Sequence, residues 1–307
     1  MEKKLKYHPN NRDELLLILQ DKNIPLGSID VSEVTDMSNL FDYSTREDYS
    51  GIEDWDVSSV VDMSRMFYYA KNFNQDISNW DVSMVENMSE MFSGAFNFNQ
   101  DISSWNVSSV VDMSRMFCYA KKFNQDISKW DVSSVEDMSC MFYEANSFNQ
   151  DIGSWNVSNV KDMEFMFYSA EKFNQDISSW DVSKVENMGR MFSYAKKFNQ
   201  DLSKWNVSNV EKMAGMFFGA KNFNQDISKW DVSMVEDMSE MFCNTDNFNQ
   251  DIGNWDVSKV KDMSCMFIYA SNFNQDLSKW DTTNVRNKRG MFKHSPLENK
   301  EPLWYKK

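Results

Sequence analysis

Nine aspartates return every 25 residues, Asp76, Asp101, Asp126, Asp151, Asp176, Asp201, Asp226, Asp251 and Asp276, each closing the tetrapeptide FNQD. A second set follows the tryptophans: Asp56, Asp81, Asn106, Asp131, Asn156, Asp181, Asn206, Asp231, Asp256 and Asp281. Carboxylates in register could hold calcium, act as an acid and nucleophile on a glycoside, or cap turns. Like charges stacked about 5 Å apart repel by roughly 1 kcal/mol in water, and by more when partly buried. The FNQD column therefore needs donors, and backbone N–H groups of the following turn supply them. The Asn and Gln before each aspartate are expected to form polar ladders that satisfy loop backbone. Calcium-binding β-rolls repeat glycines that these turns lack. A retaining glycosidase needs two carboxyls about 5 Å apart in unlike environments. Here every carboxylate has nearly identical neighbours, and the clearest interruption, CNTDN at Cys243–Asn247, offers no nucleophile–base pair. No catalysis is expected.

Metal and thiol chemistry are equally thin. The only histidines are His8 and His294, so no zinc site and no cofactor are expected. Cys118 and Cys243 lie five repeats apart, as do Cys140 and Cys265. Cys118–Cys140 and Cys243–Cys265 each fall three residues short of one repeat, a poor spacing for a disulfide, so reduced and partly buried thiols are expected. Asn106, Asn156 and Asn206 begin N-V-S sequons and Asn87 an N-M-S, which matter only where a glycosylation machinery is met.

The elements that carry these columns follow from one phrase, WDVSMVENMSEMFSGAFNFNQDISS, running from Trp80 to Ser104. Tryptophan recurs without a slip from Trp55 to Trp280. A fixed period of this length marks a solenoid, each repeat forming one coil that packs on its neighbours. Trp80 and Val82 alternate with Asp81, as in a short strand with one face buried. Val85, Met88, Met91, Phe92 and Ala95 follow at spacings of three and four, as on one side of a helix or 3-10 turn. The expected fold is an α/β solenoid on the leucine-rich-repeat plan, with one short parallel strand and one short helix or 3-10 turn per 25 residues. Methionine and the aromatics take the core positions, as stacked ladders rather than a cofactor box.

Both ends depart from the pattern. Residues 1–28 should cap the solenoid with a helix over Arg12–Gln20, its N-cap Asn10 or Asn11. The repeats run over 29–292, with the first and last degenerate; the first carries a one-residue insertion in DYSTREDYSG. Residues 293–307 should form the second cap, with Leu303, Trp304 and Tyr305 folding back as a lid.

Acidic residues outnumber basic ones 47 to 32, a net charge of −15. That argues against nucleic acid, whose phosphates need Lys and Arg, and against anionic membranes. No stretch has the length of an apolar membrane span. The run Leu15–Leu19 is preceded by Asp13 and Glu14, unlike a signal peptide, so the sequence by itself reads as cytoplasmic. A monomer with a protein partner is expected. The expected contact face is the exposed strand strip of Asp81, Asn106, Asp131, Asn156, Asp181, Asn206, Asp231 and Asp256, with Lys129, Lys204 and Lys229 two residues before their tryptophans.

The units WDVSxVxxMxxMF and AxxFNQDIS resemble those of the BspA-like leucine-rich-repeat surface proteins of mucosal bacteria and some protozoa, over about residues 29–292. The N-terminal helix and the closing SPLE…WY segment also look like that family's caps. The resemblance implies a non-enzymatic solenoid that acts as an adhesin on host or neighbouring-cell proteins, at the cell surface or secreted. An intracellular scaffold or a secreted effector is the alternative, and a polysaccharide-acting β-solenoid enzyme a distant one.

Overall fold

In the computed structural model, which describes residues 5–306, each 25-residue repeat is one coil of a continuous parallel solenoid. Bridges link Asp36, Asp62, Asn87, Asp112, Asp137, Asp162, Asn187, Lys212, Asp237, Asp262 and Asn287, each to the next. The ladder thus lies seven residues beyond each tryptophan, and not at Trp-Asp-Val as the alternation suggested.

Nor is the segment after the bridge helical. From Met63 to Ala70 the backbone is a chain of tight turns. Odd-numbered residues donate forward to the next coil: Met63 N to Asn87 O at 2.9 Å, Arg65 N to Ser89 O at 2.8 Å, Phe67 N to Met91 O at 2.9 Å and Tyr69 N to Ser93 O at 2.7 Å. Even-numbered residues donate three back within the coil, Met66 to Met63 at 3.2 Å and Tyr68 to Arg65 at 3.0 Å. Two residues per coil are left-handed, Arg65 at φ 55° and Tyr69 at φ 51°, and the same two phases recur in every later coil. Left-handed backbone costs an L-residue about 1–2 kcal/mol, which the cross-coil hydrogen bonds offset. A chain of turns brings Met63, Met66, Phe67 and Ala70 inward at spacings of three and four, so its apolar pattern imitates a helix.

The core is a set of ladders. Phe67 stacks on Phe92 at 5.7 Å, Phe73 on Phe98 at 5.7 Å, and Trp80 on Trp105 at 6.5 Å with planes 4° apart. The tryptophan spacing stays at 6.5 Å for Trp105–Trp130 and Trp155–Trp180. Because equivalent rings lie nearly parallel, centroid spacing measures the rise of the coil at that radius. Hydrogen-bonded parallel backbone sits about 4.8 Å apart. Each coil is therefore a wedge, narrow at the turn ribbon and wide at the indoles, and the solenoid curves with the ribbon on its concave side. Every indole donates to the coil behind it, as in Trp105 Nε1 to Ile77 O at 3.1 Å.

Helix α1 (Arg12–Leu19) is N-capped by Asn11, whose side chain accepts Glu14 N at 3.0 Å, and it buries Leu15. Arg12 Nε donates to Ser38 O at 2.5 Å, fixing α1 over the ribbon of the first coil. At the far end Trp304 continues the tryptophan column, 6.2 Å from Trp280, and donates to Leu277 O at 2.8 Å. Tyr305 packs edge-on against Phe292 at 5.0 Å. Leu303, expected in the lid, is instead 82% exposed.

Candidate functional site

The wedge sorts the outward residues into two faces. On the wide, convex side lies the strip read from the sequence. Asp81, Asn106, Asp131, Asn156, Asp181, Asn206, Asp231 and Asp256 are all exposed, and so are Lys129, Lys204 and Lys229. None of the eleven lies on the ladder, which corrects their expected place on a strand face. Each Asp or Asn closes a turn, its Oδ1 accepting the backbone N–H two residues on: Ser83 to Asp81 at 3.1 Å, Ser108 to Asn106 at 3.2 Å, Ser258 to Asp256 at 3.0 Å. The hydroxyl and amide of that serine hold the carboxyls of Asp81, Asp131, Asp181 and Asp256 below the usual carboxylate range.

The FNQD column behaves likewise. Asp101 Oδ1 accepts Ser103 N at 2.9 Å, and that backbone bond is the main cause of its lowered pKa. Asn74 Oδ1 accepts Asn99 N at 2.9 Å and Asn74 O accepts Gln100 Nε2 at 2.8 Å, a ladder repeated along the chain. Among the described residues no three His, Cys, Asp or Glu side chains group to hold a metal.

The concave face differs in kind. Its outward positions follow MS and MF in each coil, and there the repeat stops repeating: SRMFYYA, SEMFSGA, SRMFCYA, SCMFYEA, EFMFYSA, GRMFSYA, AGMFFGA. Aromatic residues collect at these positions and pack along the solenoid, most of them half-buried and Tyr43 and Tyr269 exposed. Tyr43 stacks on Tyr69 at 5.3 Å, Tyr143 on Tyr168 at 4.5 Å with planes 4° apart, and Tyr194 meets Phe218 edge-on at 5.0 Å. Arg65 lies 4.1 Å over Tyr68, and Arg190 crosses Gly215 to pair with Glu240. Burial pushes the Tyr68 phenol up to about 12 and raises those of Tyr69, Tyr119 and Tyr194. Where the aromatics give way to Cys243 and Asn244, a cleft of about 520 Å³ opens between Phe218, Ile268 and Tyr269. The four thiols are free; burial pushes Cys118 and Cys243 up to about 12 and Cys140 up to about 11, so these three are not ready nucleophiles.

A third acidic column, not singled out in the sequence, runs down the ladder itself through Asp112, Asp137 and Asp162, half-buried. Burial raises Asp162, while Asn187 Nδ2 donates to its Oδ2 at 3.2 Å. The legible signal for the concave face was the gathering of tyrosine and phenylalanine at these positions, where other outward phases carry mostly polar residues.

The profile of one family, described as "Mycoplasma protein of unknown function, DUF285", matches residues 18–127, 98–205, 120–227 and 199–304. The chain belongs to this family. Together the overlapping DUF285 matches leave only short segments at each end uncovered. No curated protein matches the sequence. Among solved structures, the DUF285 solenoid is similar to the TLR13–ssRNA13 complex at 8% identity and a TM-score of 0.22, covering 87% of this chain and 53% of that one. The chain thus spans about half the length of that neighbour. It is also similar to a leucine-rich-repeat protein of Leptospira interrogans at 7% identity and TM-score 0.22, covering 92% and 88%. For the functional domain of InlJ from Listeria monocytogenes the figures are 13% and 0.15, covering 80% and 73%.

Proposed function

We propose that this chain is a non-catalytic, protein-binding solenoid whose contact is carried by the tyrosine-rich concave face. One observation supports the reading above others: aromatic side chains collect at the outward positions of the concave ribbon, whereas the other varying outward positions, such as those of Ser59, Lys71 and Asn79 and their copies, carry mostly polar or charged residues. A surface with no constraint from folding is free to be specified by a partner. Tyrosine fits that use, since it supplies large rigid contact area with few rotatable bonds and a hydroxyl to pair. The resemblance to BspA-like proteins favours a partner on a host or neighbouring cell; a scaffold or effector role would use the same face.

The convex strip, with its open lysines and the second oxygen of each capping carboxyl, is the competing contact face. Two variants separate them. Tyr143→Ala with Tyr168→Ala should weaken partner capture by tenfold or more, roughly the cost of losing an interface centre. Asp131→Lys, Asp181→Lys and Asp231→Lys together should leave capture intact. The reverse pattern moves the site to the convex face, and full capture by both excludes contact through either. Fractionating native cells with an antibody distinguishes the settings: protein confined to the cytosol eliminates adhesion.

A further inference from the structure

Polar atoms sealed from solvent without a partner are scarce in folded chains, and each calls for a cause. Among the described residues five such side-chain atoms occur, and four lie in the first two coils: Asp42 Oδ1, Arg46 Nη2, Tyr49 Oη and Arg65 Nε. All four are in or beside the inserted loop that makes the first coil irregular. Arg46 stands apart from the rest. It is only 8% exposed, yet its guanidinium forms no hydrogen bond or ion pair with any described residue; only its backbone N–H is bonded, to Ser44 Oγ at 3.1 Å. Arg65 by contrast reaches Asp42 at 3.3 Å. A cation withdrawn from water ordinarily finds an opposite charge, because its desolvation is otherwise uncompensated.

Arg46 lines a cleft of about 370 Å³ enclosed by Lys22–Leu26 on one side and Thr45–Ser50 on the other. Lys22 forms part of the same wall, its Nζ donating to Thr45 Oγ1 at 2.6 Å and keeping two further N–H groups. Neither acid of the loop comes within hydrogen-bond or ion-pair distance of the Arg46 guanidinium, although, after the hydroxyl and amide of Ser50, the Arg46 charge helps to lower the Asp48 pKa. Asp48 is turned to Ser50, accepting its N–H at 2.8 Å, and Glu47 is exposed on the rim.

We propose that this cleft is an oxyanion site, taking a phosphate or carboxylate group between Arg46 and Lys22. The guanidinium of Arg46 would supply a charge-assisted donor to such a group, and Lys22 adds a point charge. The site lies at the N-terminal end of the solenoid and stands or falls independently of the concave face.

The full-length chain is titrated with sodium phosphate and, separately, sodium acetate, with ionic strength held by sodium chloride, and its backbone amide resonances are followed. The expected result is saturable movement confined to Lys22–Leu26 and Thr45–Ser50. Phosphate alone acting assigns a phosphate group, and both acting admits a carboxylate. Arg46→Gln should weaken binding by about tenfold or more, the loss of a charge-assisted pair. Lys22→Met, at an exposed side chain whose loss leaves the loop folded, should weaken it by a smaller factor. No saturable movement with either anion up to about 50 mM overturns the proposal, a concentration at which even a weak single-ion site fills. So does equal affinity in the parent and both variants.

Discussion

The indole nitrogen of Trp155 donates to Ile127 O at 3.0 Å inside the buried column. Trp155→Phe keeps a ring in the stack but leaves that carbonyl without a donor, so it should cost about 1–3 kcal/mol in urea unfolding. The turn-capping aspartates set the acid response. Asp101, Asp126 and Asp201 have folded pKa values below the ordinary 3.8, chiefly from the backbone N–H each accepts. A carboxyl with a depressed folded pKa contributes stability above its unfolded value and loses it as pH falls through the folded one. Thermal stability should therefore hold level above about pH 5 and fall steadily below about pH 4. Asp162 has the opposite sign. Burial raises it, so its ionised form weakens the fold near neutrality. Asn occupies the same phase at Asn87 and Asn187, and Asp162→Asn should raise the urea midpoint at pH 7 while flattening near pH 4.

At the scale of the element, the period and the core phases could be read from residue types, because tryptophan, methionine and phenylalanine at constant spacing admit few packings. The ladder could not. Val85, Met88, Met91, Phe92 and Ala95 fit a helix and a chain of turns equally well. Left-handed backbone is usually betrayed by glycine, yet here Arg65, Glu90, Phe165 and Tyr194 adopt it, at φ 55°, 57°, 56° and 58°. The eleven expected contact residues are exposed but lie off the ladder, because their expected position depended on the misassigned strand. Gly94 shows what the ribbon tolerates. At φ 70°, an added Cβ would sit 2.7 Å from the Tyr69 ring. Gly94→Ala should cost about 1–2 kcal/mol from the backbone alone, more once Tyr69 is displaced, as read from the denaturation midpoint.

For the whole molecule, stability is a sum over coils and the contacts between them. Removing residues 130–154, one coil, should leave a folded chain with the same circular dichroism per residue and a smaller unfolding slope in urea. Removing 130–141 throws every later ladder out of phase and should abolish cooperative unfolding of the C-terminal coils.

The solenoid also has a direction. Most cross-coil amides, those of Met63, Arg65, Phe67 and Tyr69 and their copies, point toward the C-terminus, against the Val61 phase that points back to Thr35 O, so the two ends are unlike and largely complementary. Arg12 on Ser38 O and the Trp304–Tyr305 segment cover those ends. Chains stripped of both covers would offer donors at one tip and acceptors at the other. A head-to-tail contact of that kind does not close on itself, so such chains should polymerise into curved fibrils whose length grows with concentration.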